Sequence, residues 1–586
     1  MAQSAQALRS GPLTELLERE SPATRGADDV TLRRVMQTLA AGRPGRAIEE
    51  LRVYLQANPR SAPAQEMLGM ALALSGKPED GLAALRQAVA IDARQYTALT
   101  KMGDIHLALG RKAEARAAWE QALAIEPNDR FAHQRLGLLL EAEGKAAEAL
   151  PHFEKGVIGT PADYIGIKLN LARLYNQLGR YADARALLEP ALAANKADDA
   201  KARVVLGTAL LGLGQADAAR SQFEAARAAA PNEEGGYLGL GIAYRALGQH
   251  DKSAAALEQV VRLKPDWSTG HFQLGETRSA QGRYREAAEH FARAARLSPK
   301  PAGSLKRQAD ALVAAGAKQQ ALSLYERLVQ DKEPDPEVFV ALAGMHQASG
   351  RMQQAEKTLQ AMLHRYPGRP GAHLALGNHY GFVRDYPKAL AVYQQGLRLA
   401  PRDPGLLKAI SLAYNRMGRH AEAVKTAEAM VAAQPGDVSG QLFLASLQQD
   451  AGNLRVAEEL YRRILQADSR QVLALNNLAM VLSGRGEHKE ALDLAQRAVR
   501  LAPDDPLVQD TYAWALIQAD RPKEAISVLQ SALARAKDQP TLLYHLGVAH
   551  HRVGDRQAAR RHLQQALSGA ADFSEAAQAR KLLDQL

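Results

Sequence analysis

The stretch KMGDIHLALGRKAEARAAWEQALAIEPND, residues 101–129, decides the fold because its small residues and its proline return at fixed intervals. It carries Gly103, Gly110, Ala115 and Pro127. The stretch RLGLLLEAEGKAAEALPHFEKGVIGTP has the same residue types 34 positions further on. Self-similarity at a fixed period of about 20 to 50 residues indicates a repeat architecture. Each stretch is therefore one unit of a repeat.

The glycine at position 110 marks this period along the chain. The marker occurs 16 times, 14 times as glycine, and successive markers lie 34 residues apart except for two steps of 35. A glycine at this spacing is predicted to end a helix in the left-handed conformation, which only glycine adopts without steric cost. The marker residues are Gly42, Gly76, Gly110, Gly144, Gly179, Gly214, Gly248, Gly282, Gly316, Gly350, Arg384, Gly418, Gly452, Gly486, Asp520 and Gly554.

Further positions repeat with the marker and predict two packed helices in each unit. Ala, Gly or Ser stands five residues after every marker, and Gly or Ala commonly stands seven residues before it, which lets the two helices approach. Proline often stands 17 residues after the marker and is expected to stop the second helix, because it cannot donate a backbone hydrogen bond. Aromatic residues recur nine residues after the marker and are predicted to fill the space between adjoining units.

This pattern of small, aromatic and proline residues resembles the tetratricopeptide-repeat family over about residues 28–571. The resemblance implies an all-α fold, a right-handed α-solenoid of about 16 helix-turn-helix repeats whose first helices line a concave groove. Because a terminal repeat needs a polar-faced cap, residues 572–586, DFSEAAQARKLLDQL, are predicted to form a C-terminal capping helix. Residues 1–27 are predicted to be a tail with a short helix at PLTELLERE.

Two kinds of departure from the pattern predict local irregularity. Arg384 and Asp520 replace the marker glycine, and the turns SPKPAGS and DKEPDPE carry additional prolines. We expect the pitch of the superhelix to change near these two turns, between residues 296 and 340. We expect no separate catalytic domain, because the repeats and their cap account for the chain down to its last residue.

Composition narrows the function. The chain has no cysteine, no apolar run long enough to span a membrane, and Gly-Lys turns that lack the spacing of a phosphate loop. His106, His346 and His550 stand where other units have tyrosine and are interpreted as packing residues. The net charge of +10 permits an anionic partner, but acids and bases alternate along the helices, which favours a solvated surface over a nucleic-acid site. No enzyme activity, cofactor or metal is predicted.

The predicted functional surface is the groove. By the resemblance, groove positions lie ten, nine, six, three and two residues before each marker. Asn there suits the backbone of an extended peptide, since its amide both donates and accepts, and Arg or Lys suits a carboxylate. The predicted partner-binding residues are Asn170, Arg173, Asn176, Arg245, Phe272, Glu276, Lys306, Arg307, Asn378, Lys408, Asn415, Arg416, Asn476, Asn477, Trp514 and Tyr544.

Three functions stay open from the sequence. The first is a non-catalytic scaffold that binds a partner protein or an extended peptide in the groove. The second follows from the closing segment, residues 508–567, which resembles large bacterial repeat proteins associated with exopolysaccharide synthesis and export, and it implies a scaffold of the cell envelope. The third is binding of nucleic acid or another polyanion through a basic groove. The chain as it stands is expected in the cytoplasm, or in the periplasm or cell envelope if a signal peptide has been removed.

Overall fold

The computed structural model describes residues 30–161, 165–194, 199–569 and 573–586, and within these ranges it contains helices and no strand. The predicted tail and its short helix, residues 1–27, lie outside the described residues. The chain divides into two compact units, and the boundary falls between Ala317 and Lys318. This boundary follows the ninth marker and lies between the two proline-rich turns, where the pitch change stays a prediction.

Unit 1 consists of successive helical hairpins. In each hairpin an odd-numbered first helix packs against the even-numbered second helix that follows it, and most first helices have 13 residues and most second helices 14. Its helices are α1 Val30–Ala40, α2 Pro44–Ala57, α3 Ala62–Leu74, α4 Pro78–Ile91, α5 Tyr96–Ala108, α6 Lys112–Ile125, α7 Arg130–Ala142, α8 Ala146–Gly156, α9 Ile165–Gln177, α10 Tyr181–Ala194, α11 Ala200–Gly212, α12 Ala216–Ala229, α13 Glu234–Ala246, α14 His250–Leu263, α15 Ser268–Ala280, α16 Tyr284–Leu297 and α17 Ala302–Ala314.

Unit 2 continues the same alternation from the second helix of the ninth repeat. Unit 2 begins with α18, a second helix of only 11 residues, whereas the other second helices of this unit have 14. Its helices are α18 Lys318–Leu328, α19 Pro336–Ala348, α20 Met352–Arg365, α21 Pro370–Phe382, α22 Tyr386–Leu399, α23 Pro404–Arg416, α24 His420–Ala433, α25 Val438–Asp450, α26 Leu454–Ala467, α27 Val472–Gly484, α28 His488–Leu501, α29 Pro506–Gln518, α30 Pro522–Arg535, α31 Pro540–Arg552, α32 Arg556–Gly569 and α33 Ala576–Asp584.

The marker residues make the turns as predicted. All 16 have a positive φ, including Arg384 at 63° and Asp520 at 59°. At the third marker the amide of Arg111 donates to the carbonyl of His106 and that of Gly110 to Leu107, both at 2.9 Å. These bonds satisfy carbonyl groups that the end of the helix leaves open. The same backbone geometry therefore closes every first helix, whichever residue stands at the marker.

Small residues set the spacing inside each hairpin, again as predicted. The residue five positions after the marker is buried in every repeat. The glycine seven positions before the marker faces the large side chain nine positions after it: a Cβ on Gly103 would lie 2.3 Å from Nε1 of Trp119, and one on Gly377 would lie 2.2 Å from Cε1 of Tyr393. The aromatic side chains therefore occupy the space that these glycines leave within a repeat, in addition to the predicted space between repeats.

The ends of the second helices and the C-terminus also follow the pattern. The second helix α6 ends at Ile125, two residues before Pro127, and most repeats that carry this proline share the arrangement. Near the C-terminus, α33 buries Ala579 against Leu563 of α32 and carries partly buried leucines toward the same cluster. The helix is shorter than the predicted 572–586, since it begins at Ala576.

Candidate functional site

We call the positions ten, nine, six, three and two residues before each marker the first-helix face. The structure places the 16 predicted residues on this face with unequal exposure. Asn476 and Tyr544 are buried, at 7% and 8% exposure. The exposed residues are Arg173, Asn378, Lys408 and Arg416. The half-buried residues are Asn170, Asn176, Arg245, Phe272, Glu276, Lys306, Arg307, Asn415, Asn477 and Trp514.

In unit 1, several predicted residues join neighbouring repeats. Arg173 forms an ion pair with Glu141 at 3.1 Å. Asn176 donates from Nδ2 to the carbonyl of Val205 at 2.9 Å. Each contact crosses from one first helix to the next, so these side chains use their hydrogen-bonding groups within the repeat stack and are only partly available to a partner.

The eighth repeat shows the same use of polar residues. Arg245 donates to the side-chain oxygen of Gln273 at 2.6 Å and to the Gln273 carbonyl at 3.1 Å. Burial lowers the pKa of Arg245 from its ordinary value. Glu276 accepts from Nε and Nη2 of Arg307 at 2.6 and 3.0 Å. The forked guanidinium-carboxylate pair fixes both side chains, because two parallel hydrogen bonds allow one orientation.

Two deeper ion pairs of unit 1 were not among the predicted residues. Lys101 pairs with Glu66, and the two side chains are 7% and 3% exposed. Arg135 pairs with Asp104 at 3.1 Å, with side chains 5% and 3% exposed. Sequence spacing could have suggested them, since each pair joins groove positions of consecutive repeats. Buried pairs of this kind are costly to break, because removal of one partner leaves an uncompensated charge.

In unit 2, the predicted residues of the last repeats are mostly packed. Trp514 stacks on His545 with ring centroids 4.3 Å apart, and His545 bonds Asp510 at 2.6 Å. Tyr544 lies against the same rings. Asn477 donates to the hydroxyl of Tyr461 at 3.2 Å. These side chains connect repeats 13 to 16 and present little free polar surface.

Repeats 11 and 12 are different, since their first-helix face forms a cavity of about 960 Å³. Helices α21 and α23 form its walls, and the start of α22 closes one side. It brings together three predicted residues, Asn378, Lys408 and Arg416. We call this site the cationic pocket and define it by Asn378, Phe382, Arg384, Lys408, Leu412 and Arg416.

Three cations line the cationic pocket. Within the described residues, Arg384, Lys408 and Arg416 form no ion pair, and the lining residues include no acid. Lys408 lies 5.7 Å from the ring centroid of Phe443, which leaves its ammonium hydrogens free to donate. Arg384 is the marker residue with positive φ, a backbone conformation that costs about 1–2 kcal/mol for a residue other than glycine. Strain of this kind often occurs at functional sites.

The pocket also exposes large apolar side chains that the sequence analysis missed. Phe382 is 61% exposed and Leu412 is 43% exposed, and Val340 on the same face of repeat 10 is 45% exposed. All three stand at groove positions, so the repeat pattern contained the signal, but only the polar residues of repeats 9 to 12 were selected. An exposed apolar patch beside unpaired cations is typical of a surface that binds another molecule.

Asn378 of the pocket and the nearby predicted residue Asn415 both form hydrogen bonds within the chain. Asn378 accepts a hydrogen bond from the hydroxyl of Tyr393 at 2.8 Å through Oδ1. Asn415 donates to Asp450 of the next repeat at 3.2 Å and contacts His420. Asn378 therefore faces the pocket with its amide hydrogens, whereas Asn415 belongs to a joint between repeats.

Comparison with protein families agrees with the helical hairpins. One family model, described as tetratricopeptide repeat, matches residues 34–96, 100–164, 238–302, 272–336, 306–370 and 374–438. The chain belongs to the tetratricopeptide-repeat family. Other models with the same description match the repeats at residues 140–206, 200–225 and 465–575.

The chain is also similar to segments of three curated proteins. It is 26% identical over 136 residues to superkiller protein 3 of Schizosaccharomyces pombe, 22% of this chain and 10% of that protein. It is 25% identical over 166 residues to cellulose synthase operon protein C of Pseudomonas fluorescens, 27% and 13% of the two chains. A match to the probable biofilm formation methyltransferase WspC of Pseudomonas aeruginosa has 35% identity over 83 residues, 14% and 20%. These segments are short parts of all three relatives.

The chain also matches a solved structure described as Naa15/Naa10 bound to HypK-THB. It has 15% identity and a TM-score of 0.38, and the alignment covers 95% of this chain and 96% of that one. The described part of this chain contains no helix with the length and apolar character needed to cross a membrane. It also contains no group of three or more His, Asp or Glu side chains arranged for a metal ion.

Proposed function

We propose that the protein is a non-catalytic scaffold that binds an extended segment of a partner protein across the first-helix face of repeats 11 and 12. One observation carries the proposal: the cationic pocket combines exposed apolar side chains with cations that have no acidic partner in the part of the chain that the structure describes. In other repeats the comparable side chains are used within the stack. This pocket offers free donors and apolar area together.

The lining of the pocket indicates the chemistry of the partner. Phe382 and Leu412 provide an apolar surface for one or two aliphatic or aromatic side chains. Lys408 and Arg416 stand beside it and suit a carboxylate, since charge-assisted hydrogen bonds to a carboxylate are stronger than neutral ones. The partner segment is therefore expected to place an acidic residue close to an apolar one. Contacts with the peptide backbone are expected from Asn378.

Charge reversal in the pocket tests this proposal. The double variant Lys408→Glu and Arg416→Glu is expected to lose partner recovery by at least about tenfold, as for removal of a central charge from an interface. Lys425→Glu is the matched control, because Lys425 is an exposed cation on the second helix α24 of the same repeat. Equal recovery of partners by the double variant and the control would contradict the proposal.

A crosslinker shows which face the partner occupies. A photoreactive phenylalanine at position 412 is expected to capture protein partners in native lysate, identified by mass spectrometry. The same residue at position 425 is expected to capture none of those partners. Capture at 425 and not at 412 would place the partner on the second helices and exclude the pocket.

A second candidate function rests on the similarity to cellulose synthase operon protein C. We propose a role in the cell envelope, beside components of exopolysaccharide synthesis or export, as an alternative setting for the same scaffold. The similarity extends over 166 residues only, so the partner and the compartment are proposals. Cell fractionation and the identity of adjacent genes test it. A cytoplasmic location without neighbouring polysaccharide genes would argue against it and would favour the expected cytoplasmic setting.

Binding of a nucleic acid or another polyanion is the third candidate. A polyanion would need a row of free cations, and several cations of unit 1 are already paired, as in Arg173 with Glu141 and Arg307 with Glu276. The cationic pocket has three cations, which is fewer than such a row would need. Retention of RNA or DNA that falls steeply with salt would support this function over protein binding.

A further inference from the structure

A second cavity lies on the opposite face of the hairpins, where the second helices α18 and α20 flank the first helix α19. Its volume is about 690 Å³, and every residue that lines it belongs to unit 2. Val329, Phe339 and Leu342 provide the apolar part of the lining, and Glu326 and His346 are among its polar residues. We call it the outer pocket, and it shares no residue with the cationic pocket.

The outer pocket lies beside the end of the short helix α18. The helix ends at Leu328 after 11 residues, whereas α20 has 14. The chain then runs through a turn that ends at Asp335, held by bonds from Tyr366 to the Pro334 carbonyl and from Arg365 to the Lys332 carbonyl. The missing turn of helix leaves the end of α20 without a neighbouring second helix, and this space is open to solvent.

Two repeats of unit 1 show a side chain that fills the inner part of the equivalent space. The residue four positions before the marker points toward the second helix of the preceding repeat. Tyr175 donates from its hydroxyl to Glu154 at 3.0 Å, and Tyr244 donates to Glu224 at 3.2 Å. The acceptor stands ten residues after the preceding marker in both cases. A tyrosine ring between two second helices, with its hydroxyl on a carboxylate, is therefore a recurring joint.

Repeat 10 has the acceptor of this joint but lacks the ring. Glu326 stands ten residues after the preceding marker, and His346 stands at the tyrosine position. His346 is only 7% exposed, and its Nδ1 has no hydrogen-bond partner within the described residues. In the same part of the chain, Glu326 forms no ion pair and no hydrogen bond. His346 is smaller than tyrosine and its Nδ1 is closed off from solvent, whereas Glu326 is exposed and lines the same cavity as His346.

We propose that the outer pocket binds the side chain of a tyrosine in a partner protein, which completes a joint of the kind that repeats 5 and 7 make internally. The phenol ring packs on Phe339 and Leu342, and its hydroxyl donates to Glu326. His346, which also lines the cavity, contacts the edge of the ring. The pocket is larger than one ring, so the backbone on both sides of the tyrosine also fits.

The protonation state of His346 agrees with this arrangement. Burial lowers the pKa of His346 from its ordinary value, which favours the uncharged imidazole beside an aromatic ring. The carboxylate of Glu326 is the acceptor for the phenol, as in the internal joints of repeats 5 and 7.

The test restores the missing ring from inside the chain. The variant His346→Tyr is expected to fill the pocket, bond Glu326 and block the ligand without loss of stability. His106→Tyr is the matched control, since His106 is also buried four positions before a marker, in unit 1. N-acetyltyrosinamide is the probe, titrated against the full chain while the methyl signals of Leu342 and Val329 are followed by NMR.

The expected result is saturable binding to the wild type and to His106→Tyr, and at least about tenfold weaker binding to His346→Tyr. N-acetylphenylalaninamide is expected to bind several-fold more weakly than the tyrosine probe, because it leaves Glu326 without a donor. In Glu326→Ala this preference is expected to disappear. Equal binding by His346→Tyr, no saturation by the wild type, or no preference for tyrosine would each overturn the proposal.

The test of the outer pocket does not depend on the function proposed for the cationic pocket. Variants Lys408→Glu and Arg416→Glu leave the outer pocket unchanged and are expected to bind N-acetyltyrosinamide like the wild type. Loss of partner recovery in those variants with probe binding intact would show that the two pockets act independently. Loss of probe binding in them would contradict the assignment of the probe to the outer pocket.

Discussion

The first-helix faces of the two units use similar residues in different ways. In unit 1, Lys101 and Arg173 are paired with acids of the preceding repeat. In repeat 12 of unit 2, Lys408 and Arg416 stand at other positions of the same face, have no acidic partner within the described residues and line the same cavity as exposed Phe382. A charged residue at a groove position is therefore either a joint between repeats or a contact for another molecule. Which of these it is depends on whether an adjacent repeat places an acid beside it.

Removal of a joint should have the largest effect. We expect Lys101→Met to destabilise the region of α3 and α5 by about 3–5 kcal/mol, because Glu66 would remain buried with an uncompensated charge. Hydrogen exchange measured by mass spectrometry should show faster exchange in these helices. Arg416→Met is the control in unit 2 and should change local exchange little, because Arg416 is exposed and unpaired. Similar exchange in both variants would remove the distinction between the two faces.

Glycines of unit 2 provide a second way to separate a joint from an open position. Gly377→Ala should cost about 1–3 kcal/mol, since the new Cβ would meet the ring of Tyr393. Gly344→Ala should stabilise by about 0.5–1 kcal/mol, because no atom lies within 4 Å of its Cβ and alanine favours a helix. Denaturant unfolding of the two variants measures both changes. A loss of stability in Gly344→Ala would mean that this position is not open.

The marker residue of the cationic pocket should give a smaller effect of opposite sign. Arg384→Gly is expected to stabilise the chain by about 1 kcal/mol, because glycine adopts a positive φ without steric cost. The same variant should weaken partner binding. Asp520→Gly is the control, since Asp520 has the same backbone conformation and does not line the pocket. If both variants bind the partner equally well, Arg384 does not contribute to the pocket.

The smallest effect concerns a pair of partly buried histidines in unit 1. His133 and His152 are 2.9 Å apart between their Nδ1 atoms, and burial lowers the pKa of both. Below about pH 6.5 the unfolded chain therefore binds more protons than the folded chain, and the free energy of unfolding falls as the pH falls. His152→Gln should make this slope shallower in urea unfolding between about pH 5.5 and about pH 7.5. An unchanged slope would exclude the pair as a source of acid sensitivity.

Much of the fold could be predicted from the sequence, because each recurring residue has one structural role. The left-handed turns at Arg384 and Asp520 could be predicted although neither residue is glycine, since the period fixed their positions. The length of α18 could not be predicted in the same way. The additional prolines of DKEPDPE indicated an irregular turn, but the helix ends at Leu328, six residues before the first of them.

The candidate site was harder to predict than the fold. Spacing correctly placed Lys408 and Arg416 on one face, but it could not show that Arg307 is bonded to Glu276, because this depends on the rotamers of two repeats. The interpretation of His346 as a packing residue was incomplete for a similar reason. The side chain is buried as expected, yet His346 also lines a cavity beside the end of the short helix α18.

The Asp residues that begin first helices in unit 2 have a consequence for how such chains change length. Asp403 caps α23 by accepting from the amide of Leu406, and Asp437 caps α25 by accepting from Ser439 and Gly440. Each follows a proline by two residues, as Pro401 and Pro435 show. Deletion of residues 404–437 would therefore join Asp403, with Pro401 before it, directly to Val438 at the start of α25. Genetic loss or duplication of one such repeat would therefore leave a proline and a capping Asp in front of the helix that follows.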